Sequence, residues 1–154
     1  MPVPWAFGRP QFGNSSSDRS IEERAMKLRH LRGLQQYIMR LCKTGLLKYP
    51  DNMYIPETDR GKPIKWARIS QHQINSEVVM KIIPKQGSCS WSEMVSRKES
   101  QTTDFFCSHG WSEPFREFMA TIDEFVRLRK VTEDQGFWIC VYANGKHCRH
   151  IDMC

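Results

Sequence analysis

The feature that most constrains the fold of this chain is a strand, helix and strand pattern in residues 103–146. The two apolar runs, residues 104–109 and 137–143, are short and rich in aromatic and β-branched side chains. That composition is typical of strands in a parallel sheet, which are covered on both faces. Residues 110–136 separate the runs, too many for a hairpin and enough for a helical crossover. The pattern therefore predicts a parallel β-α-β unit.

The intervening helix is predicted to begin at Pro114, because proline fits the first helical position, where its missing N–H costs nothing. Apolar side chains then recur with the spacing of one buried helical face. They are Phe115, Phe118, Met119, Ile122, Phe125 and Val126. The loops that follow two parallel strands open on the same edge of the sheet, where open α/β sheets bind ligands. A binding site is therefore expected where residues 108–113 meet residues 144–147.

Polar and aromatic side chains of these two loops are the candidates for a ligand-binding pocket. The expected lining is His109, Trp111, Glu113, Asn144 and His147. Free N–H groups at a helix N-terminus favour anions, so a nucleotide or phosphate fits this position. In the alternative, His109 and Glu113 cap the helix and Trp111 packs as a lid. Ser108 and His109 point to opposite faces of a strand, which makes a poor nucleophile and base pair, so no catalytic residue is assigned.

The excess positive charge lies in the N-terminal third. Residues 1–50 hold nine Lys or Arg against three Asp or Glu, whereas residues 51–154 hold fourteen of each. Ser20 and Glu23 form a capping-box pattern, which predicts an amphipathic helix that ends at Gly45. Its basic positions are Arg24, Lys27, Arg29, Arg32, Arg40 and Lys43. They form a solvated face, or they bind a protein partner or an anionic membrane surface. Nucleic acid is not expected, because only Tyr37 offers a ring for stacking.

Two further elements complete the predicted fold. Residues 78–83 (VVMKII) indicate a strand ended by Pro84. A second capping box, Ser90 with Glu93, predicts a short helix over residues 91–97. The expected fold class is therefore α/β, a small parallel, flavodoxin-like partial sheet with a β-α-β core, preceded by the N-terminal amphipathic helix.

The expected organisation has five parts. They are a disordered tail (1–19), the basic amphipathic helix (20–45), a polar linker (46–73), a partial α/β domain (74–147) and a C-terminal tail (148–154). Three strands make a thin sheet, and its last strand would present an unprotected edge. We therefore expect either an incomplete domain or one that completes its sheet with another chain.

Composition bears on location and on metal binding. No apolar stretch reaches the length of about 18 residues that marks a transmembrane segment. The N-terminus lacks the apolar core of a secretory signal, so a cytoplasmic location and reduced cysteines are expected. The C-terminal His147, Cys148, His150 and Cys154 do not have the spacing of a zinc site, and no metal is assigned.

Three strings carry a resemblance to known proteins: SCSWSEMV (88–95), SHGWSEPFREF (108–118) and FWICVYANGK (137–146). They resemble a group of protist proteins, abundant in dinoflagellates, that carry a CSxxELV element, an SHWWGEP pattern and a YWxCxxANNQ-like strand. Gly110 and Ser112 depart from that pattern, as do Gly145 and Lys146. The first strand and its Ser-His loop are also similar to the opening of Toll/interleukin-1-receptor-like (TIR-like) domains.

The resemblance implies a flavodoxin-like sheet and a role in signalling, with cleavage of NAD in some TIR-like members. This sequence has no counterpart of the helix that carries the glutamate of those enzymes, so the activity is not carried over and the chain looks C-terminally truncated. The expected function is a non-catalytic interaction module that recruits protein partners or self-associates, without a cofactor. The alternative is a TIR-like protein that binds or cleaves NAD in the pocket at the sheet edge.

Overall fold

The computed structural model describes residues 20–83, 89–96 and 101–145. The helices are α1 (Leu28–Lys43), α2 (Gln71–Ile74), α3 (Met80–Ile82), α4 (Trp91–Ser96), α5 (Phe115–Arg129) and α6 (Cys140–Ala143), with a 3-10 turn at Ile21–Glu23 and a π-helix at Asn75–Val79. The strands are β1 (Met26–Lys27), β2 (Phe105–Cys107) and β3 (Gly136–Ile139). They form one sheet in the order β1-β3-β2.

The predicted β-α-β unit is confirmed. Strands β2 and β3 pair in parallel, with Phe105 opposite Phe137. Helix α5 connects them and buries the predicted apolar face, of which Phe118, Met119 and Ile122 are at most 3% exposed. The residue that follows it, Lys130, adopts a left-handed conformation, with φ 53°, which ends the helix. Because β2 and β3 run in the same direction, the loops that follow them lie at the same end of the sheet.

The third strand comes from the segment predicted to begin the basic helix. Strand β1 pairs with β3 in antiparallel orientation, with Met26 opposite Phe137. The sheet is therefore mixed rather than wholly parallel, and β3 is its central strand rather than an unprotected edge. Tertiary hydrogen bonds replace the expected helical ones, since the N–H of Ala25 donates to the Gln101 carbonyl at 3.2 Å. Helix α1 consequently begins only at Leu28.

Residues 78–83, predicted as a strand, are helical up to Ile82 instead. The helical run begins with a capping box in which the N–H of Ser70 donates to Oε1 of Gln73 at 2.8 Å. Ile74 and Val78 are then fully buried one helical turn apart. The strand prediction was wrong because it relied on the β-branched composition of the run. The four-residue spacing of the buried side chains and the capping box at Ser70 both indicate a helix.

Helix α4 begins as the sequence predicts. The N–H of Ser90 donates to Oε2 of Glu93 at 2.7 Å, and the N–H of Glu93 donates to Oγ of Ser90 at 3.2 Å. This reciprocal pair is the predicted capping box. The neighbouring Ser92 hydroxyl donates to the Tyr142 carbonyl at 2.7 Å. It joins α4 to α6, which takes the place of the second half of the strand predicted over residues 137–143.

One hydrophobic core contains residues from the predicted basic helix, the predicted linker and the predicted α/β domain. Leu31 and Ile38 of α1 are fully buried, and so are Leu47 and Ile64 in residues 46–73. The N–H of Ile64 donates to the Leu47 carbonyl at 2.9 Å. Residues 46–73 therefore pack into the fold rather than act as a spacer. None of the described helices has both the length and the apolar composition needed to cross a bilayer.

Candidate functional site

A cavity of about 600 Å³ opens on one face of the sheet. Phe105 and Phe137 contact Phe125 of α5, with ring centroids 5.1 and 6.2 Å away. Side chains alternate along a strand, so Phe106 and Trp138 point to the opposite face. The cavity lies there, over β2 and β3, and its described wall continues into the loop after β2 at Ser108, His109 and Trp111. Ile21, Glu22 and Thr103 close its other end.

Two aromatic rings form the floor of this cavity. Phe106 and Trp138 stack with their ring centroids 4.7 Å apart and their planes 13° from parallel. The indole N–H of Trp138 donates to the Ile21 carbonyl at 3.0 Å, which holds the ring in place. Trp138 is 8% exposed, whereas Phe106 is 72% exposed. Phe106 is therefore a large apolar side chain that is exposed to solvent and stacks on a tryptophan held by a hydrogen bond.

Two residues predicted for the pocket, His109 and Trp111, lie in the cavity wall. Trp111 packs against the cluster formed by Trp138, Cys140 and Ala143, and its carbonyl accepts the N–H of His72 at 3.1 Å. The ring of His109 lies 6.3 Å from that of Trp111 and 5.6 Å from that of Phe118. Both side chains therefore line the cavity, and His109 also contacts helix α5 through Phe118.

His109 is held as a neutral imidazole. Burial lowers its pKa below 6.5, and the nearby Cys107 carbonyl and Glu113 carboxylate offset only part of that effect. Within the described residues, neither ring nitrogen makes a hydrogen bond of acceptable geometry. The Ser108 hydroxyl is consequently not bonded to His109, and the two do not form a nucleophile and base pair.

The cavity wall also contains two cysteines in different states. Burial and the Glu113 carboxylate raise the pKa of the Cys107 thiol, so this free thiol is protonated at neutral pH. Cys140 is disulfide-bonded, and the expectation of reduced cysteines is wrong for this residue. Neither sulfur is therefore an activated nucleophile.

The other predicted pocket residues lie beside the cavity or outside the described chain. Glu113 is not in the described wall but acts on Cys107 and His109 through its charge. Asn144 donates through Nδ2 to Sγ of Cys140 at 3.6 Å, directly behind the wall. His147 lies outside the described residues, as do Cys148, His150 and Cys154.

The N-terminus of α5 bonds to residues 69 and 70 of the same chain. The N–H of Phe115 donates to the Ile69 carbonyl at 2.7 Å, and Ser70 bridges to Pro114. One of the N–H groups expected to favour a phosphate is therefore already bonded to another segment of the protein. The alternative expectation, that His109 and Glu113 cap this helix, is also not met, since no side chain of the described residues makes a cap hydrogen bond there. Among the described wall residues of the cavity, Glu22 is the only charged one.

The basic residues predicted to bind a partner or an anionic surface divide into two groups. Arg29 pairs with Asp134, and Arg32 pairs with Glu133 and, at 3.4 Å, with Asp123. Arg24 and Lys27 also lie near carboxylates, those of Glu93 and Asp134, at 4.0 and 3.9 Å. These four therefore contact acidic side chains of the fold. Arg40 and Lys43 lie instead toward the other end of α1, on a second cavity.

The sequence pattern did not single out three residues of the cavity. Phe106, Trp138 and Ile21 form its floor and one end. The alternation along β2, in which Phe105 and Phe106 face opposite sides, is the signal that identifies Phe106. Ile21 carries no such signal, because its position depends on β1 joining the sheet.

The described residues contain no group of three His, Cys, Asp or Glu side chains placed to hold a metal ion. No protein family, curated protein or solved structure matches this chain.

Proposed function

We propose that this protein is a non-catalytic interaction module that takes an apolar side chain of a protein partner into the cavity over Phe106 and Trp138. The observation that carries the proposal is the 72% exposure of Phe106 on edge strand β2, stacked on a held tryptophan. Interfaces obtain most of their binding energy from a few such aromatic anchors and the pockets beside them.

The chemistry of the cavity favours binding over catalysis. Cys107 is a protonated thiol, and His109 is a neutral imidazole that does not bond to Ser108. A nucleophile needs a lowered pKa or a hydrogen-bonded base. The described wall offers neither, whereas its volume and aromatic lining suit the insertion of a side chain.

The charge of the wall indicates which partner fits. Hydrogen bonds to its own backbone and to Ser20 lower the pKa of Glu22, so this carboxylate is ionised at neutral pH. It attracts a Lys or Arg next to the inserted apolar residue and repels a phosphate. The nucleotide alternative, NAD included, therefore has less support at this cavity than a partner segment that combines an apolar and a basic residue.

The position of β2 provides a second mode of contact for the same partner. Because the strand order is β1-β3-β2, one side of β2 faces away from the sheet. An extended segment can pair with such an edge while its side chains enter the adjacent pocket. The TIR-like kinship belongs to this proposal as well. It is supported by the parallel β-α-β unit and by the Ser-His loop after β2, and the mixed sheet departs from it.

A peptide selection tests the proposal. The full chain is used to select binders from a phage-displayed library of random peptides. We expect enriched sequences with a Phe, Trp, Leu or Met next to a Lys or Arg. Phe106→Ser should weaken their binding about tenfold or more, as the loss of an interface anchor does. Leu128→Ser is the matched control, because Leu128 is an apolar side chain on α5 that is 63% exposed.

Thermal unfolding of both variants shows whether each remains folded. Selection of no binders, or of binders that Phe106→Ser and Leu128→Ser affect equally, would overturn the proposal. If Phe106→Ser abolishes binding but Glu22→Gln does not change it, the cavity remains the binding site. The proposal that the partner has a basic residue beside the inserted side chain would then be wrong.

A further inference from the structure

A second cavity, of about 560 Å³, lies toward the C-terminal end of α1 and plays no part in the proposed function. Helix α1 contributes Met39, Arg40 and Lys43 to its wall, and the turn after Ile64 contributes Lys65 and Trp66. The volume lies within the range of roughly 300 to 1,000 Å³ that small-molecule sites occupy.

The fold holds the two sides of this cavity in fixed positions. The Lys65 carbonyl accepts the N–H groups of Arg68 and Ile69 at 2.9 and 3.1 Å, which closes the turn. The preceding Ile64 is fully buried. The edge of Trp66 meets the ring of Phe115 at 5.9 Å, with the planes 88° apart. Lys65 and Trp66 therefore stand on a rigid turn beside α1.

The charges on this cavity are all of one sign. Arg40, Lys43 and Lys65 are exposed, and none of the three forms an ion pair with a described residue. The described wall has no carboxylate. On the same helix, in contrast, Arg29 and Arg32 are paired with acidic side chains. The cavity therefore concentrates three cations that the described fold does not neutralise.

The helix terminus does not account for all three cations. Basic side chains often lie near the last carbonyls of a helix, where they interact with the helix dipole. In α1 three of the last four carbonyls already have partners, since the N–H groups of Thr44, Gly45 and Leu46 donate to residues 40–42 at 3.0 to 3.2 Å. The Thr44 hydroxyl donates there as well. Lys65, moreover, is not on this helix.

We propose that this second cavity binds a small organic anion that joins a phosphate group to a flat ring, as nucleoside monophosphates do. Cationic side chains bind phosphate oxygens through charge-assisted hydrogen bonds. Trp66 provides an aromatic surface on which a base stacks, and Met39, 43% exposed, extends the apolar wall. The amide of Gln36, also in the wall, can bond to the edge of a base.

Calorimetric titration of the full chain with the four nucleoside 5′-monophosphates tests this inference. At least one is expected to bind, and the matching nucleoside and inorganic phosphate alone are each expected to bind about tenfold more weakly. Raising the salt concentration from about 50 to about 200 mM should weaken the nucleotide further, because the charges are exposed.

Substitutions locate the binding. Lys43→Gln and Lys65→Gln should each weaken the nucleotide about fivefold, the range of one exposed charge contact. Lys62→Gln, which removes an exposed lysine outside the wall, should leave binding unchanged. Phe106→Ser should also leave nucleotide binding unchanged. The two proposals can therefore fail independently, because peptide binding depends on the first cavity and nucleotide binding on the second.

Three outcomes would overturn the inference. The first is the absence of binding by all four nucleotides at about 10 mM, a concentration that reveals even weak sites. The second is equal affinity in the wild type and the Lys43→Gln and Lys65→Gln variants. The third is binding to phosphatidylserine vesicles that needs both lysines while nucleotides do not bind, which would assign the surface to an anionic membrane.

Discussion

The hydroxyl of Tyr142 donates a hydrogen bond of 2.7 Å to Oε1 of Gln71, and both side chains are fully buried. The bond joins α6, which directly follows the central strand, to the first residue of α2. Burial raises the pKa of Tyr142 well above its usual value, so the phenol keeps its proton and remains a donor at neutral pH. The end of β3 is therefore anchored to the helical run that begins at the Ser70 cap.

Tyr142→Phe tests this anchor. The substitution leaves the buried Oε1 of Gln71 without its donor, which costs about 1 to 3 kcal/mol of the free energy of unfolding. Urea unfolding of the wild type and the variant measures the difference. Tyr54→Phe is the control, because Tyr54 is 86% exposed. Equal loss in the two variants would show that the buried bond contributes nothing specific.

Gly136 lies where three segments of the sheet meet, and its substitution should be severe. A Cβ atom there would lie 2.3 Å from the Thr102 carbonyl oxygen and 2.9 Å from Cβ of Ala25. Since the first contact is with backbone, the strand must shift. Gly136→Ala should therefore cost about 1 to 3 kcal/mol or more. Gly110→Ala is the control, because its nearest contact would be an ordinary 3.8 Å; similar thermal midpoints for both would contradict the close approach.

The pH dependence of stability should include a contribution from His109. Its pKa in the folded state lies below 6.5, the value expected when the chain is unfolded. As the pH falls through that value, the unfolded state takes up the proton first. Stability is therefore lost on acidification, and the loss ends below the pKa of the folded state.

Denaturant unfolding between neutral and mildly acidic pH measures this contribution. His109→Gln should reduce the slope of stability against pH, because the variant has no imidazole to protonate. A slope that His109→Gln leaves unaltered would contradict the neutral, buried imidazole.

The Cys42 thiol should react slowly with alkylating reagents. Burial raises its pKa from 9.0 to about 11, and only the thiolate is nucleophilic. Iodoacetamide should therefore modify Cys42 far more slowly in the native protein than in urea at about pH 8, with the native rate rising toward pH 11. Peptide mapping by mass spectrometry measures both rates. Equal rates in the native and unfolded protein at the lower pH would contradict the raised pKa.

Part of the candidate site can be predicted from the chain. His109 and Trp111 follow directly from their position after a predicted parallel strand, and the structure places both in the cavity wall. Phe106 is accessible to the same reasoning through strand alternation. Trp138 is oriented by a hydrogen bond to residue 21, across more than a hundred residues of sequence, and no local pattern indicates that contact.

By itself, the sequence determined the elements whose signals are local. The helical spacing of α5 between two apolar runs specifies the β-α-β unit, and the Ser90 and Glu93 cap specifies the start of α4, because these interactions join residues a few positions apart. Only the tertiary structure decided that Met26 pairs with Phe137, that residues 78–82 are helical against the core, and that α6 ends β3. Those outcomes depend on which distant surface each segment is buried against, and burial between distant segments outweighs the weak local preferences of short segments.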